Sequence, residues 1–196
     1  ASTAVMVSAH QSIGCKALVM FGSEQQKEDY LPMVAREKLS AFCLSEPNVG
    51  SDAAGQESFS VKTEDGDYVL NGEKKWSTSG ALSGLMTVMC KNMVKNEETG
   101  ELEQRGVNAL IVTPDMDGVE IFENNRAKTG IRGTWQARFR FNDVRVPKEN
   151  LLHNEGGGLK VALNCLNYGR FTLSAGVTGA AKAAMNQGIK WAQTRY

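Results

Sequence analysis

The chain of 196 residues carries 22 basic and 22 acidic side chains and no formal net charge. That balance leaves no electrostatic footprint for nucleic acid or an anionic membrane. The length can bury a sizeable core, as one domain or one domain plus part of another.

Residues 1 to 36 read as helical. "TAVMVSAHQSIGCKALVMFG" is rich in Ala, Met, Val and Leu, with Gly14 and Gly22 as breaks or C-caps. No apolar run is expected to approach the roughly 20 residues that span a bilayer, and no targeting peptide is visible. Ser23 followed by Gln26 forms a capping box that opens the next helix, which Pro32 is expected to bend or end.

From 39 to 146 the pattern changes to eight short β runs: "LSAFCL", "SFSVKT", "DYVLNG", "EKKWSTSG", "LMTVMCKN", "VNALIVT", "GVEIF" and "ARFRFNDVRV". Gly, Asn and Asp between them suit hairpins. Runs of strands without intervening helices predict an antiparallel sandwich or barrel, not a βαβ sheet. After Pro147 the chain turns helical again, with small residues recurring at Ala175, Gly176, Gly179, Ala180 and Ala183; core contact between helices is the simplest use of that stripe. The fold class is therefore α+β: the end of a helical N-terminal domain over 1–38, an antiparallel β-barrel or sandwich middle domain over 39–150, and the start of a helical C-terminal domain over 151–196, expected to be truncated.

Cys15, Cys43, Cys90 and Cys165 lie far apart, without a C-x-x-C pair, and read as free thiols in a reducing compartment. His10 and His153 have no cysteine or second histidine at ligand spacing, so no metal site is expected.

Three polar constellations remain. In "SEPNVGSD", 45 to 52, Ser45 and Ser51 offer hydroxyls and Gly50 allows close backbone approach; a plain connector is the simplest alternative. In "KWSTSG", 75 to 80, the flat face of Trp76 beside the Thr78 and Ser79 hydroxyls suits a planar heteroaromatic ligand; a core Trp beside exposed hydroxyls accounts for the pattern equally well. In "NYGR", 167 to 170, Asn167 and Arg170 share a helix face, and Arg170 could hold a phosphate or carboxylate or simply face solvent. There is no catalytic triad, P-loop or G-x-G-x-x-G.

"AFCLSEPNVGSDAAG", together with "YVLNGEKKWSTSG", "DVRVPKENLL" and "GGGLKVALNCLNYGRF", resembles the acyl-CoA dehydrogenases. "AHQSIG", "FG…QKEDYLP" and "AFCLSEP" are most similar to the very-long-chain branch and its relative in respiratory complex I assembly. The resemblance implies FAD as cofactor. Phe42, Cys43, Leu44, Ser45, Gly50 and Ser51 would belong to the first flavin segment, Trp76, Ser77 and Thr78 to the second, and Arg195 would reach the FAD of a neighbouring subunit. Ser51, Asn167 and Arg170 would contact the acyl-CoA substrate.

The resemblance further implies an electron-transfer flavoprotein as electron acceptor, a homodimer or higher homo-oligomer, and mitochondrial localisation. No nucleic acid partner is expected, and any membrane association would come through segments outside this chain. In the family a glutamate removes the substrate's α proton while the β hydrogen leaves as hydride to the flavin. One branch carries that base just before the arginine matching Arg170, where this chain has Gly169; Glu149 and Glu155 read as surface residues. No catalytic residue is therefore expected here, and the chain alone is expected to be inert. Val49, Ser77, Ser79 and "GTWQARF", 133 to 139, depart from the family pattern, and no site is expected in the last. An acyl-CoA oxidase and an assembly or scaffold flavoprotein are the rival readings.

Overall fold

The computed structural model describes residues 2–195, so the outermost residue of each expected terminal domain, 1 and 196, lies outside it. The N-terminal helical region runs as α1 (Ser2–Ala9), a π-helical turn (His10–Gly14) and α2 (Cys15–Phe21), followed by α3 (Glu24–Arg36). Ser2–Phe21 thus form 20 continuous helical residues containing an 18-residue stretch of mean hydropathy 1.3, long and apolar enough to cross a membrane by length and composition. This corrects the expectation that no apolar run nears that length. Gly14 does not break the helix, because it closes the π turn, where an added Cβ would lie 2.6 Å from the Ser40 carbonyl oxygen. His10 makes a second link there: its Nδ1 accepts from the Ser40 N–H at 3.0 Å.

Ser23 caps α3 as predicted: its Oγ accepts from the Gln26 N–H while Gln26 Oε1 accepts from the Ser23 N–H. Pro32 lies inside α3 and does not end it. Gln26 also donates to the Glu149 and Leu151 carbonyls at 2.6 and 2.9 Å, joining α3 to the distant segment before the last helix.

Seven strands follow: β1 (Leu39–Cys43), β2 (Phe59–Lys62), β3 (Tyr68–Ser77), β4 (Ser83–Lys95), β5 (Leu102–Val112), β6 (Val119–Glu123) and β7 (Ala137–Val146). "DYVLNG" and "EKKWSTSG" belong to one strand, β3, in which Asn71 and Gly72 form an irregularity rather than a hairpin turn. The strands make one sheet in the order β1-β4-β2-β3-β7-β6, with β5 on the other edge of β4. The expected antiparallel sheet is mixed instead. β1 and β2 both pair parallel to β4, and the other four pairings are antiparallel. The long 44–58 connection makes the parallel pairings, because it returns the chain to the same edge of β4 without reversing it.

β4 is buried on both faces, so its sequence reads as a continuous apolar run rather than an alternation. Met86, Val88 and Cys90 join Leu70, Phe139 and Phe141 in the interior about which the sheet curls. Leu85 and Met89 face the helices with Leu18, Val161 and Cys165. Burying each large side chain of this kind stabilises the fold by about 1.5–3 kcal/mol. α4 (Gly158–Thr194) begins against β5, where a Cβ on Gly158 would lie 2.5 Å from the Asn108 carbonyl carbon. From Phe171 to its end α4 is exposed, so the small-residue stripe makes no core contact among the described residues.

Candidate functional site

β1 and β3 are not ladder neighbours, yet their C-terminal ends are brought together. The Lys75 N–H donates to the Ser45 carbonyl at 2.8 Å, and the Ser77 hydroxyl donates to Cys43 Sγ at 3.3 Å. Between the two ends and the helices lies a cleft of about 160 Å³, lined by Phe42, Leu44, Ser45, Trp76 and Thr78 with Lys75, Ala9, Ile13 and Leu166. Five of the nine sequence-predicted flavin-segment residues in β1, β3 and their loops therefore converge. The side chains of Cys43 and Ser77 are instead buried against each other on the interior side, leaving only their backbone for a ligand. Burial pushes the Cys43 thiol up to about 11, more than its Ser77 bond and the charge of Lys74 lower it, so it stays a protonated, unreactive thiol.

Gly50 and Ser51 are exposed and do not line the cleft. Arg195 ends α4, 25 residues past Arg170 or about 37 Å along the helix, and is not brought to the cleft within this chain. Trp76 has the left-handed φ of 64° and Ser79 one of 63°, conformations that cost non-glycine residues about 1–3 kcal/mol and cluster at functional sites. Trp76 is 40% exposed as a residue, so it is not a core tryptophan, and the Lys75 ammonium and the Arg126 guanidinium each lie 5.4 Å from its ring centroid.

The cleft adjoins a larger apolar slot of about 680 Å³ between α1, the π turn and α4. The two share Ala9, Ile13, Thr78 and Leu166. Small residues open the slot: Ala4, Gly169, Gly176 and Ala180 line it, and nothing lies within 4 Å of where a Gly176 Cβ would stand. Arg170 also lines it and donates to Asn167 Oδ1 at 3.1 Å, so the two predicted substrate residues act as one polar unit beside an apolar space. No carboxylate lines the slot among the described residues.

Sequence reasoning missed three residues beside the cleft, Gln136, Lys74 and Glu46. Gln136, in the stretch where no site was expected, donates from Nε2 to Thr78 Oγ1 at 3.3 Å. Lys74 and Glu46 form an ion pair of 2.5 Å whose side chains are 0% and 1% exposed. Desolvation works to raise the Glu46 carboxyl, but the Lys74 charge and the Ser58 and Glu57 donors outweigh it and hold it below the usual glutamate value. The signal was available in the "KK" of β3, since alternation sends one of two adjacent lysines to the buried face. His10 and Cys15, five residues apart, do meet, Nδ1 to Sγ at 3.6 Å. Among the described residues no group of three or more His, Cys, Asp or Glu side chains could hold a metal.

The family profile "Acyl-CoA dehydrogenase, middle domain" matches residues 41–144, and "Acyl-CoA dehydrogenase, N-terminal domain" matches residues 1–38. The chain belongs to the acyl-CoA dehydrogenase family. It is 40% identical over 193 residues to the mitochondrial very long-chain specific acyl-CoA dehydrogenase of Bos taurus, covering 97% of this chain and 29% of that protein. It is 39% identical over 196 residues to the probable acyl-CoA dehydrogenase FadE10 of Mycobacterium bovis, covering 99% and 29%. The solved acyl-CoA dehydrogenase of Bacillus anthracis, complexed with FAD, superimposes with a TM-score of 0.88 at 38% identity, covering 100% of this chain and 32% of that one. The chain thus spans about three-tenths of the length of the relatives it matches, and family membership accounts for the order helices, sheet, helix.

Proposed function

We propose that this chain is the FAD-binding part of an acyl-CoA dehydrogenase acting on long or very long acyl chains, with domain boundaries near residues 38 and 150. The observation that carries this reading is the joining of a cleft for a flat polar-edged ring to a long apolar slot through Ala9, Ile13, Thr78 and Leu166. The residues fit the cofactor. Trp76, Phe42, Leu44, Ile13 and Leu166 supply apolar walls, while the Ser45 and Thr78 hydroxyls and adjacent backbone amides supply hydrogen bonds. Bound FAD would supply the hydride acceptor. Thr78 stands at the junction of both spaces, so its hydroxyl can contact the ring and the reacting end of the acyl group together. Gln136 donates to Thr78 Oγ1, which turns the Thr78 proton away from Gln136 and frees it for the ligand. Arg170, oriented by Asn167, is the cation for the CoA moiety. Ser51 and Arg195 join as loop and inter-subunit contacts in an oligomer.

The catalytic base is proposed to come from outside this chain, because Gly169 stands where one branch of the family carries it. An electron-transfer flavoprotein is the proposed electron acceptor. Mitochondrial localisation is proposed on the Bos taurus relative, whereas the Mycobacterium bovis relative is bacterial. The test uses the full-length protein purified with FAD under anaerobic conditions. Rapid bleaching of the flavin's visible absorbance by long-chain acyl-CoA is the expected result. Bound FAD that never bleaches with short to very long acyl-CoA would refute dehydrogenation.

A further inference from the structure

We infer that Lys74 and Glu46 are positioning residues, a buried ion pair that sets the first flavin segment against the second without lining the cleft. The inference rests on the FAD reading above.

The sheet ladder does not join the end of β1 to β3. β1 is hydrogen-bonded to β4, whereas Trp76 and Thr78 continue β3, whose ladder partners are β2 and β7. Beyond Cys43 the chain leaves the sheet and returns only at Phe59. One backbone bond, Lys75 N–H to Ser45 carbonyl, holds the start of this loop to β3. Lys74 adds a second connection from the opposite face of the strand, beside the long Ser58 hydroxyl contact to the Glu73 carbonyl at 3.5 Å. Its ammonium donates to the Leu44 carbonyl at 3.3 Å, Glu46 Oε1 at 2.5 Å and Gln56 Oε1 at 3.2 Å, three acceptors for three N–H donors.

Glu46 carries the grip to the far end of the loop. Its carboxylate accepts from the Glu57 N–H at 2.5 Å, and from the Ser58 N–H and hydroxyl at 3.1 and 2.5 Å. The ion pair therefore fastens residues 44, 46 and 56–58 to one point on β3, two residues before Trp76. Leu44 and Ser45 line the cleft on one side and Trp76 on the other, while Lys74 and Glu46 do not line it.

A buried pair of this kind repays little more than its own desolvation, and replacing both partners by neutral groups is often close to neutral for stability. Removing one partner leaves an uncompensated buried charge. A directional charge pair with every donor and acceptor engaged instead fixes one arrangement of the groups it joins. A positioning pair and a stabilising pair thus make different predictions for the double replacement.

The test compares the full-length wild-type protein with Lys74→Met, Glu46→Gln and the double variant. The readouts are thermal melting without cofactor, amide hydrogen exchange over residues 44–58, and FAD affinity from quenching of flavin fluorescence. The double variant should melt close to wild type and well above Lys74→Met, exchange the Glu57 and Ser58 amides faster, and bind FAD at least about tenfold more weakly. Three results would each overturn the inference: wild-type exchange over 44–58, FAD affinity within about twofold of wild type, or a double variant that melts as low as Lys74→Met. If the wild-type protein binds no FAD, the functional reading fails separately, and unchanged exchange at Glu57 and Ser58 still refutes the positioning role.

Discussion

Gly176→Leu would place a side chain in the apolar slot, where nothing lies within 4 Å of the added Cβ. The four side-chain carbons displace about four methylenes of an acyl chain that reaches this depth. At about 0.8 kcal/mol per buried methylene the loss is about 3 kcal/mol, or about 200-fold in affinity at 1.36 kcal/mol per tenfold. Chains too short to reach residue 176 should bind as before. The fold should not suffer, because glycine in a helix interior is about 1 kcal/mol worse than alanine and leucine is a good helix former. The assay titrates a series of acyl-CoA thioesters of increasing length into the full-length protein and follows the flavin spectrum, with a thermal melt as control. A loss that appears only beyond a threshold length supports the slot as the acyl site. An equal loss at every length, or none at any, would refute it.

Gly14→Ala normally favours a helix, but here the added Cβ meets the Ser40 carbonyl at 2.6 Å; overpacking of this kind costs about 1–3 kcal/mol, read as a lower urea midpoint, and a raised midpoint would show that the π turn does not pack on β1 as described. The Glu46 carboxyl is held below the usual glutamate value in the fold, so its contribution is present above the unfolded value of about 4.5 and is lost as pH falls through the lower folded value. Thermal melts from neutral to acid pH should therefore fall less steeply below about pH 4.5 in the Lys74→Met/Glu46→Gln double variant than in wild type; parallel acid slopes would exclude an ionised Glu46 in the folded protein.

Local patterns in the sequence determined the helix–sheet–helix order. Ser23 and Gln26 announced their capping box because its two hydrogen bonds span only three residues. Trp76 and Thr78 could be read together because they flank Ser77, the last residue of β3. Whatever depended on non-local geometry was settled by the tertiary structure. Parallel pairing of β1 and β2 with β4 could not be read from turn residues, which describe only how adjacent strands connect. Gln136 reaches Thr78 across 58 residues of chain. Which of Lys74 and Lys75 is buried depends on the phase of β3 in the sheet, and its partner Glu46 lies 28 residues upstream. A sequence fixes charge and periodicity, but the meeting of distant side chains is decided by how the sheet curls, because only burial removes the water that would otherwise satisfy each of them alone.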